Sequence, residues 1–429
     1  MPTHWPSCWP SHWLPRRPSG PVRQLLPLGA LVTAAMLALT ACNGDATAGT
    51  QAGDSAGEAS GSPSVIPTAQ VQVTTDAKGR AVPVNHVLHV KAQDGTLKSV
   101  TVTGVRTKAS TDKSDPGVLK GTLSGDGTRW TASGRLQPGA RYTVRTVAVD
   151  GAGNAAQSRS RFTTQALSLD QQTYPSIAPL AGETVGVGMP VIVTFDVPVT
   201  DKAAIEKHLS VESSPVQQGS WHWISDSEVR WRPRTYWKAG TDVTVHADID
   251  SIPAGNGVYG QLSRTTKFHI GKSVIMHVDV ARHQMKVDVD GKVVRTIPVT
   301  AGAPGFTTRS GIKVIIEKFR YKDMNSETIG IEPGDPNYYD MRNVEYAQRV
   351  TFSGEFLHAA PWSEGSQGYA NVSHGCVGMS TANAAWLYGI TKRGDVVDVT
   401  GTDRQMTLDN GYGDWNESFA QYRKGSALK

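Results

Sequence analysis

Apolar and polar residues alternate in short runs from about residue 69 to residue 400, a pattern typical of half-buried β-strands. The first such runs lie at residues 88–92 and 100–102, on either side of an Asp94-Gly95 turn. The runs continue with similar spacing to the strand-like segment at 162–164. The pattern predicts a small β-sandwich over residues 69–165.

A second sandwich is predicted over residues 166–271, because the first pattern repeats about 100 residues later. In the first copy Tyr142 follows a Pro-Gly turn, as in the tyrosine corner of immunoglobulin-type sandwiches. In the second copy Val243 stands at the tyrosine position. The sequence therefore predicts two tandem immunoglobulin-like modules, and we expect them to act as spacers because neither contains a catalytic cluster.

Residues 272–400 predict a third, β-rich domain. Alternating residues at 274–280 and 285–289 lead into an Asp290-Gly291 turn, which indicates a hairpin, and another strand is expected at 312–316. Residues 321–347 lack a strand pattern and contain several Gly and Pro residues, so we expect a functional lid there. The predicted fold class is mainly β.

The two ends of the chain differ from this core. In residues 401–429 three aromatic residues follow helical spacing, which predicts a short helix docked on the third domain: Trp415, Phe419 and Tyr422. Residues 42–68 contain mostly Gly, Ala, Ser and Thr with some acids, and predict a flexible tether. Residues 1–41 contain arginines followed by an apolar run of about 15 residues, which is typical of an export signal.

The export signal ends in Leu39-Thr40-Ala41-Cys42, which resembles a bacterial lipobox. On this interpretation Cys42 becomes the lipid-bearing N-terminus, and the protein lies on the outer face of the cytoplasmic membrane and reaches into the cell wall. The alternative is an ordinary signal peptide cut near Ala41. The formal net charge of +5 falls to +2 once the three arginines of the leader are set aside, which argues against nucleic acid as a partner.

Cys376 is the only thiol outside the leader and the lipobox, so it has no disulfide partner in the exported chain. It is either a small buried residue or a nucleophile whose base is His374 or His358. Ser380 is placed to cap a following helix, so we expect Cys376 to lie near a helix N-terminus with a lowered pKa. No group of His, Cys and acids has metal-ligand spacing, and no cofactor is expected.

The full pattern, His358 followed after 14 residues by Ser373-His374-Gly375-Cys376, resembles the signature of the L,D-transpeptidases of the bacterial cell wall, with a YkuD-like catalytic domain. The resemblance covers roughly residues 273–399. It implies that Cys376 attacks a peptidoglycan stem peptide with His358 as base, forming a thioester that a neighbouring stem converts to a 3–3 cross-link. The preceding modules resemble the actinobacterial lipoprotein type of this family.

The resemblance also assigns supporting residues. It implies that the Ala359 carbonyl orients His358, that a flap tyrosine, here Tyr339, touches the substrate, and that the backbone of Ser353 and Gly354 binds it. Within the turn itself, the backbone amides of Gly375 and Cys376 are the natural oxyanion donors, and His374, with Ser373, is expected either to support the site residues or to position the substrate. The family usually has Asn where this chain has Gly378, so an amide contact to the substrate is missing or supplied elsewhere.

Three other functions compete with the transpeptidase. An L,D-carboxypeptidase would use the same residues with water as acceptor, and the sequence leaves this alternative open. A non-catalytic wall-binding lipoprotein would not need Cys376 and His358. A sortase would need a strand-borne Cys motif with an arginine partner, which is not found. The expected partners are donor and acceptor stem peptides and the membrane, and the protein is expected to be a monomer.

Overall fold

The computed structural model describes residues 69–75, 81–108 and 116–428. The predicted signal, the lipobox with Cys42 and the tether therefore lie outside the described residues. No helix within the described ranges is both long and apolar enough to cross a membrane.

The first sandwich contains two four-stranded sheets, as the alternation predicted. One sheet has the strand order β1-β2-β6-β5 and the other the order β4-β3-β7-β8. The hydroxyl of Tyr142 accepts a hydrogen bond from the Gln137 amide at 2.9 Å, which confirms the tyrosine corner. The strands are β1 (Gln70–Thr74), β2 (His89–Gln93), β3 (Gly95–Arg106), β4 (Gly117–Leu119), β5 (Gly121–Leu123), β6 (Arg129–Ala132), β7 (Ala140–Asp150) and β8 (Ala155–Thr163).

The second sandwich also contains two four-stranded sheets, with the orders β10-β12-β15-β14 and β11-β19-β16-β13, and a small third sheet, β17-β18-β9. Its elements are β9 (Gln172–Thr173), β10 (Pro175–Ala178), β11 (Thr184–Val185), β12 (Val191–Phe195), α1 (Lys202–Glu206), β13 (Leu209–Ser214), β14 (Gly219–Trp223), β15 (Glu228–Pro233), β16 (Asp242–Ala247), β17 (Pro253–Gly255), β18 (Val258–Gly260) and β19 (Arg264–Ile270).

The catalytic domain places a five-stranded sheet, β22-β21-β20-β28-β23, beside a four-stranded sheet, β24-β25-β26-β27. Its elements are β20 (Val274–Asp279), β21 (Gln284–Val289), β22 (Lys292–Pro298), β23 (Gly311–Val314), β24 (Glu317–Asn325), β25 (Asp340–Arg349), β26 (Phe356–Ala359), β27 (Val377–Met379), α2 (Thr381–Ile390) and β28 (Val396–Thr400).

The segment 321–347, which we expected to lack strands, is mostly the hairpin of β24 and β25, and only residues 326–339 form its tip. The alternation is hidden because the register shifts between Lys322 and Met324, and because Asn343 and Tyr346 have positive φ angles. The tip contains a 3-10 turn, Ser326–Ile329. The lid is therefore the end of a two-stranded arm.

The second sandwich shares a hydrophobic core with the catalytic domain. Val314 and Val396 of the catalytic sheet belong to the same buried cluster as Met189 and Trp231 of the sandwich. The two backbones also meet directly, because the Gly186 amide donates to the Arg393 carbonyl at 2.8 Å. This continuity contradicts our expectation that both modules are only spacers, since removing the second would expose apolar residues of the enzyme.

The C-terminal tail forms a short helix, α3 (Phe419–Tyr422). The tail contacts the catalytic domain through Asn416, whose side chain forms two hydrogen bonds of 2.7 Å with the backbone of Ile312, whereas its aromatic residues contact the second sandwich. Trp415 donates from Nε1 to the Gly188 carbonyl at 2.7 Å, and the buried Tyr422 contacts the second sandwich. Their rings hold the Arg232 guanidinium, whose carbon lies 4.7 Å from the Trp415 ring centroid and 4.4 Å from that of Tyr422. The tail prefers this surface because a buried cation and aromatic faces attract each other.

A buried ion pair completes the docking of the tail. Arg230 of β15 lies 3.2 Å from the carboxylate of Asp414 in the tail, and the two side chains are 1% and 0% exposed. Arg230 also donates to the Gly411 carbonyl at 2.8 Å. Removing one partner of such a pair leaves the other charge buried and uncompensated.

Arg230→Ala is accordingly expected to lower the free energy of unfolding by about 3–5 kcal/mol, because Asp414 would remain buried without its partner. Denaturant unfolding followed by tryptophan fluorescence reports on this module, since Trp221, Trp223 and Trp231 lie in its core. The matched control is the nearby exposed Arg234→Ala, for which a loss below about 0.5 kcal/mol is expected. Equal effects of the two substitutions would contradict the role assigned to Arg230.

Candidate active site

Cys376 and His358 lie on adjacent parallel strands of the catalytic domain. His358 in β26 is opposite Gly378 in β27, and Cys376 immediately precedes β27. Both side chains face one cavity of about 360 Å³. The cavity is lined by Thr300, Met324, Tyr339, Met341, His358, Ala360, Trp362, Ser363, Ser366, Val372, Ser373, His374, Cys376 and Gly378.

The imidazole of His358 is held in one tautomer. Its Nδ1 lies 2.7 Å from the Ala359 carbonyl, which can only accept, so Nδ1 carries the proton and Nε2 keeps its lone pair. Burial lowers the pKa of His358, and the bond to Ala359 offsets part of this effect. The ring of Trp362 stacks on the imidazole with centroids 5.8 Å apart. His358 is therefore neutral at pH 7 and can accept a proton at Nε2.

The thiol of Cys376 differs from our expectation. Burial raises its pKa to about 12, although the Phe356 amide and the Lys313 ammonium favour the thiolate. We expected a lowered value from a helix N-terminus, but Cys376 enters a β-strand, and α2 begins only at Thr381. His358 is neutral and therefore supplies no positive charge. Cys376 therefore rests as a thiol, which donates to the Gly354 carbonyl at 3.7 Å.

Alkylation of Cys376 by iodoacetamide should therefore be slow at pH 8 and should still be accelerating at pH 10. A pKa of about 12 in place of 9 leaves about 10³-fold less thiolate at neutral pH. The rate is measured by mass spectrometry of the peptide that contains Cys376, with glutathione as the unperturbed reference. A rate that reaches a plateau below pH 9 would show instead that the free enzyme holds a stabilised thiolate.

The turn before Cys376 is braced on both sides. The Ser373 hydroxyl donates to the Cys376 carbonyl at 2.6 Å, and the Gly375 amide donates to the same hydroxyl oxygen at 3.1 Å. The buried Thr308 hydroxyl donates to the Gly375 carbonyl at 2.8 Å. Gly375 has a φ of +117°, which only glycine adopts readily. Because the Gly375 amide is already engaged, the amide of Cys376 is the better candidate oxyanion donor of the two that we predicted.

Three residues predicted for the site do not line the cavity: Ser353, Gly354 and Gly375. The carbonyl of Gly354 nevertheless accepts from the sulfur of Cys376 at 3.7 Å. Ser353 is exposed, and its amide donates to the Asn410 side chain at 2.9 Å. Gly354 therefore contacts Cys376 through its backbone, and Ser353 does not.

His374 is part of an aromatic cluster that joins the lid to the site. Its ring centroid lies 4.9 Å from that of Tyr339 and 4.5 Å from that of Phe306. Burial raises the pKa of Tyr339 to about 12, so its hydroxyl stays protonated. Tyr338, the other lid tyrosine, points instead to Glu327 at 3.1 Å. Of the two tyrosines, only Tyr339 lines the cavity.

Gly378 occupies a position where a side chain has little room. A Cβ atom there would lie 2.9 Å from the Cβ of Ala360 and 3.1 Å from the Cγ2 of Thr300. The asparagine expected from the resemblance would force these neighbours apart. Ala360 and Thr300 thus leave room for a glycine at position 378 but not for a larger side chain in the present packing.

Sequence reasoning missed a buried charge cluster behind the nucleophile. The carboxylate of Glu355 contacts Arg309 Nη1 at 2.9 Å and forms a very short bond with Lys313 Nζ. Burial lowers the pKa of Lys313, and Glu355 offsets part of that effect. Since both charges also act on Cys376, the cluster sets the electrostatic environment of the thiol. The sequence shows Glu355 three residues before His358. It does not show that Arg309 and Lys313 are its partners, because they lie more than 40 positions away.

Within residues 69–75, 81–108 and 116–428 no three His, Cys, Asp or Glu side chains group as a metal site. The arrangement comprises a thiol, a neutral imidazole with a free Nε2, and backbone amides beside a cavity that the lid covers. Such a set performs acyl transfer through a covalent thioester.

Comparison with known families identifies two segments. Residues 79–253 match the family profile for a bacterial Ig domain, and residues 273–399 match that for the L,D-transpeptidase catalytic domain.

Several curated proteins and solved structures are also similar. The chain is 35% identical over 398 residues to L,D-transpeptidase 2 of Mycobacterium tuberculosis, covering 92% of this chain and 94% of the relative. L,D-transpeptidase 5 of Mycobacterium tuberculosis is 34% identical over 82% of this chain and 76% of its own length. A solved L,D-transpeptidase in complex with imipenem is 37% identical, with a TM-score of 0.47 over 52% of this chain and 97% of that one.

Proposed function

Since this chain belongs to the L,D-transpeptidase family, we propose that Cys376 and His358 perform the family's reaction as nucleophile and general base. The protein is a peptidoglycan L,D-transpeptidase. The observation that carries the residue assignment is that both side chains face one cavity, with His358 fixed in the tautomer that leaves Nε2 free.

In the first half-reaction His358 Nε2 takes the thiol proton as Cys376 Sγ attacks the carbonyl of the third residue of a stem tetrapeptide. The amide bond to the fourth residue, D-alanine, breaks, and the proton passes from His358 to the departing amine. A thioester on Cys376 remains. Because burial raises the pKa of the thiol, the proton has to be removed by a base such as His358 for the sulfur to attack.

In the second half-reaction the side-chain amine of a neighbouring stem attacks the thioester. The C–S bond breaks, a new amide bond forms between the third residues of the two stems, and the amine's proton returns through His358 to the sulfur. The thioester conserves the energy of the cleaved amide. Where water replaces the amine, the same residues trim the stem, which is the carboxypeptidase alternative.

The remaining site residues position the substrate. We assign Tyr339 of the lid and His374 of the site turn to substrate positioning, because their rings pack together and both line the cavity. The amide of Cys376 is assigned to the developing oxyanion, where one donor contributes about 3–4 kcal/mol. Gly378 lines the same cavity opposite His358 in the strand register, and the Gly354 carbonyl contacts the sulfur of Cys376.

Mass spectrometry of the products tests this function. The full chain is incubated with disaccharide tetrapeptide, and dimers lacking one D-alanine are expected, together with an intact-protein mass increased by the acyl group on Cys376. Trimmed monomers alone would favour the carboxypeptidase. Unchanged substrate and unmodified protein would reject both enzymes.

Lipidation at Cys42 is part of the same proposal, motivated by the lipobox-like run before it. Residues 1–41 would be removed, and residues 42–68 would tether a monomeric protein to the outer face of the membrane. Cys42→Ala is expected to release the protein from membranes without changing its activity on soluble stems, as judged by fractionation of cells. A mature N-terminus several residues from Cys42, without a lipid adduct, would refute the anchor.

A further inference from the structure

The outer face of the first sandwich carries a row of arginines. Arg145 in β7 lies directly opposite Arg159 in β8, and Arg161 lies two residues further along β8, opposite Thr143. Arg141 continues the same face of β7. The four guanidinium-bearing residues are all exposed. Since opposed residues and alternate residues of paired strands share a face, the four side chains project to one side.

This arrangement opposes stability. Like charges directly opposite each other in a sheet repel, and the pKa of Arg159 is lowered by Arg161 first, then by burial and by Arg145. Within the described part of β3, β4, β7 and β8 the only acid is Asp150. Its carboxylate accepts from the Ala152 and Asn154 amides of its own turn, and so it does not neutralise the arginines.

The arginines border a groove built to make polar contacts. Arg145 and Arg159 line a shallow cavity of about 460 Å³ together with hydroxyl and amide side chains: Ser99, Thr101, Ser158 and Gln157. Hydroxyls and amides donate hydrogen bonds to oxygen anions. Charge and hydrogen-bond donors thus converge on one surface of a module that contributes nothing to the catalytic cavity.

We propose that this arginine face binds a linear polyanion of the cell envelope whose charges are phosphodiesters. A guanidinium donates two parallel hydrogen bonds to two phosphate oxygens, a geometry that lysine does not reproduce. Residues two apart on a strand are about 6.6–6.8 Å apart, and neighbouring strands about 4.8 Å. The positive charges on this face are therefore spaced at intervals similar to those between phosphates in a linear polymer with one phosphodiester per repeat. Carboxylates on branched stem peptides are not arranged in such a row.

The consequence is a second attachment point for the enzyme. If the first sandwich binds a phosphate polymer that is fixed in the wall, the catalytic domain stays close to the surrounding stem peptides. Its effective concentration there rises without any new contact at the active site. Such binding is electrostatic and weakens as salt rises.

The test measures binding of the full chain to inorganic polyphosphate by fluorescence polarisation and to purified wall sacculi by co-sedimentation. The double variant Arg145→Gln, Arg159→Gln is expected to bind polyphosphate about tenfold or more weakly than the wild type. Its thermal midpoint should be no lower, because a repulsive pair is removed. The matched control is Arg129→Gln, an exposed arginine on the other sheet of this module, which should bind like the wild type.

Sacculi distinguish the anion. Treatment with hydrofluoric acid cleaves phosphodiesters and leaves the stem carboxylates, so it is expected to abolish the arginine-dependent binding. If the double variant still binds less than the wild type to treated sacculi, the ligand is peptidoglycan carboxylate and the phosphodiester assignment is wrong. Equal binding of wild type and double variant to polyphosphate overturns the site. Turnover of soluble stems should be the same in all three proteins, which separates this result from any failure of the catalytic assignment.

Discussion

Cys376→Ala is expected to reduce cross-link formation by about 10⁴–10⁶-fold, because Cys376 supplies the only thiol among the residues that line the cavity. The fold should survive. The side chain is only half-buried beside Tyr339 and Met324, so the stability loss is expected to be about 1 kcal/mol. The measurement combines product dimers with the intact-protein mass, which should show no acyl adduct.

The matched variant is Cys376→Ser, which keeps the shape of the side chain and offers a hydroxyl in place of the thiol. It should be nearly as inactive, because a neutral His358 that deprotonates a thiol is a weak base toward a hydroxyl. Residual cross-linking above about a hundredth of the wild-type rate in either variant would mean that Cys376 is not the nucleophile.

His358→Ala is expected to lower turnover by about 10²–10⁴-fold, the usual contribution of a general base. The pH profile separates this role from a structural one. Since burial lowers the pKa of His358, the wild-type enzyme should lose activity only below about pH 6.5, as Nε2 becomes protonated. In the variant that acid limb should vanish, and the residual rate should rise about tenfold per pH unit as hydroxide forms the thiolate.

His374→Ala is the control for this prediction. His374 packs between Phe306 and Tyr339, so its loss should weaken substrate binding while the acid limb of the pH profile remains. If the limb disappears in His374→Ala and persists in His358→Ala, the two histidines have been assigned the wrong way round.

The charge cluster at Glu355 connects two strands of the catalytic domain. Glu355 directly precedes the strand of His358 and pairs with Lys313 of β23. The two cations pair with the Glu355 carboxylate and compensate its burial. At the sulfur, in addition to the larger effect of burial, Glu355 raises the pKa of the thiol and Lys313 lowers it by less, so the cluster keeps Cys376 protonated in the resting site.

The sequence by itself determined the features that depend on local order. Strand periodicity is a two-residue pattern, so the sandwiches and the hairpin of β21 and β22 could be predicted from it. The spacing from His358 to Cys376 is likewise a local motif. The tautomer of His358 followed from its own neighbour, Ala359, one peptide bond away.

Only the tertiary structure decided the properties that depend on residues far apart in the chain. The pKa of Cys376 is set chiefly by burial, and burial depends on what packs above the thiol. The cluster of Glu355 with Arg309 and Lys313 joins segments more than 40 residues apart in the sequence. Arg230 and Asp414 form an ion pair although 184 positions separate them. Such pairs leave no repeating pattern in the sequence, because the number of residues between two partners in separate elements is not fixed by either element. For the same reason the shared core of the second sandwich and the catalytic domain could not be predicted from the sequence.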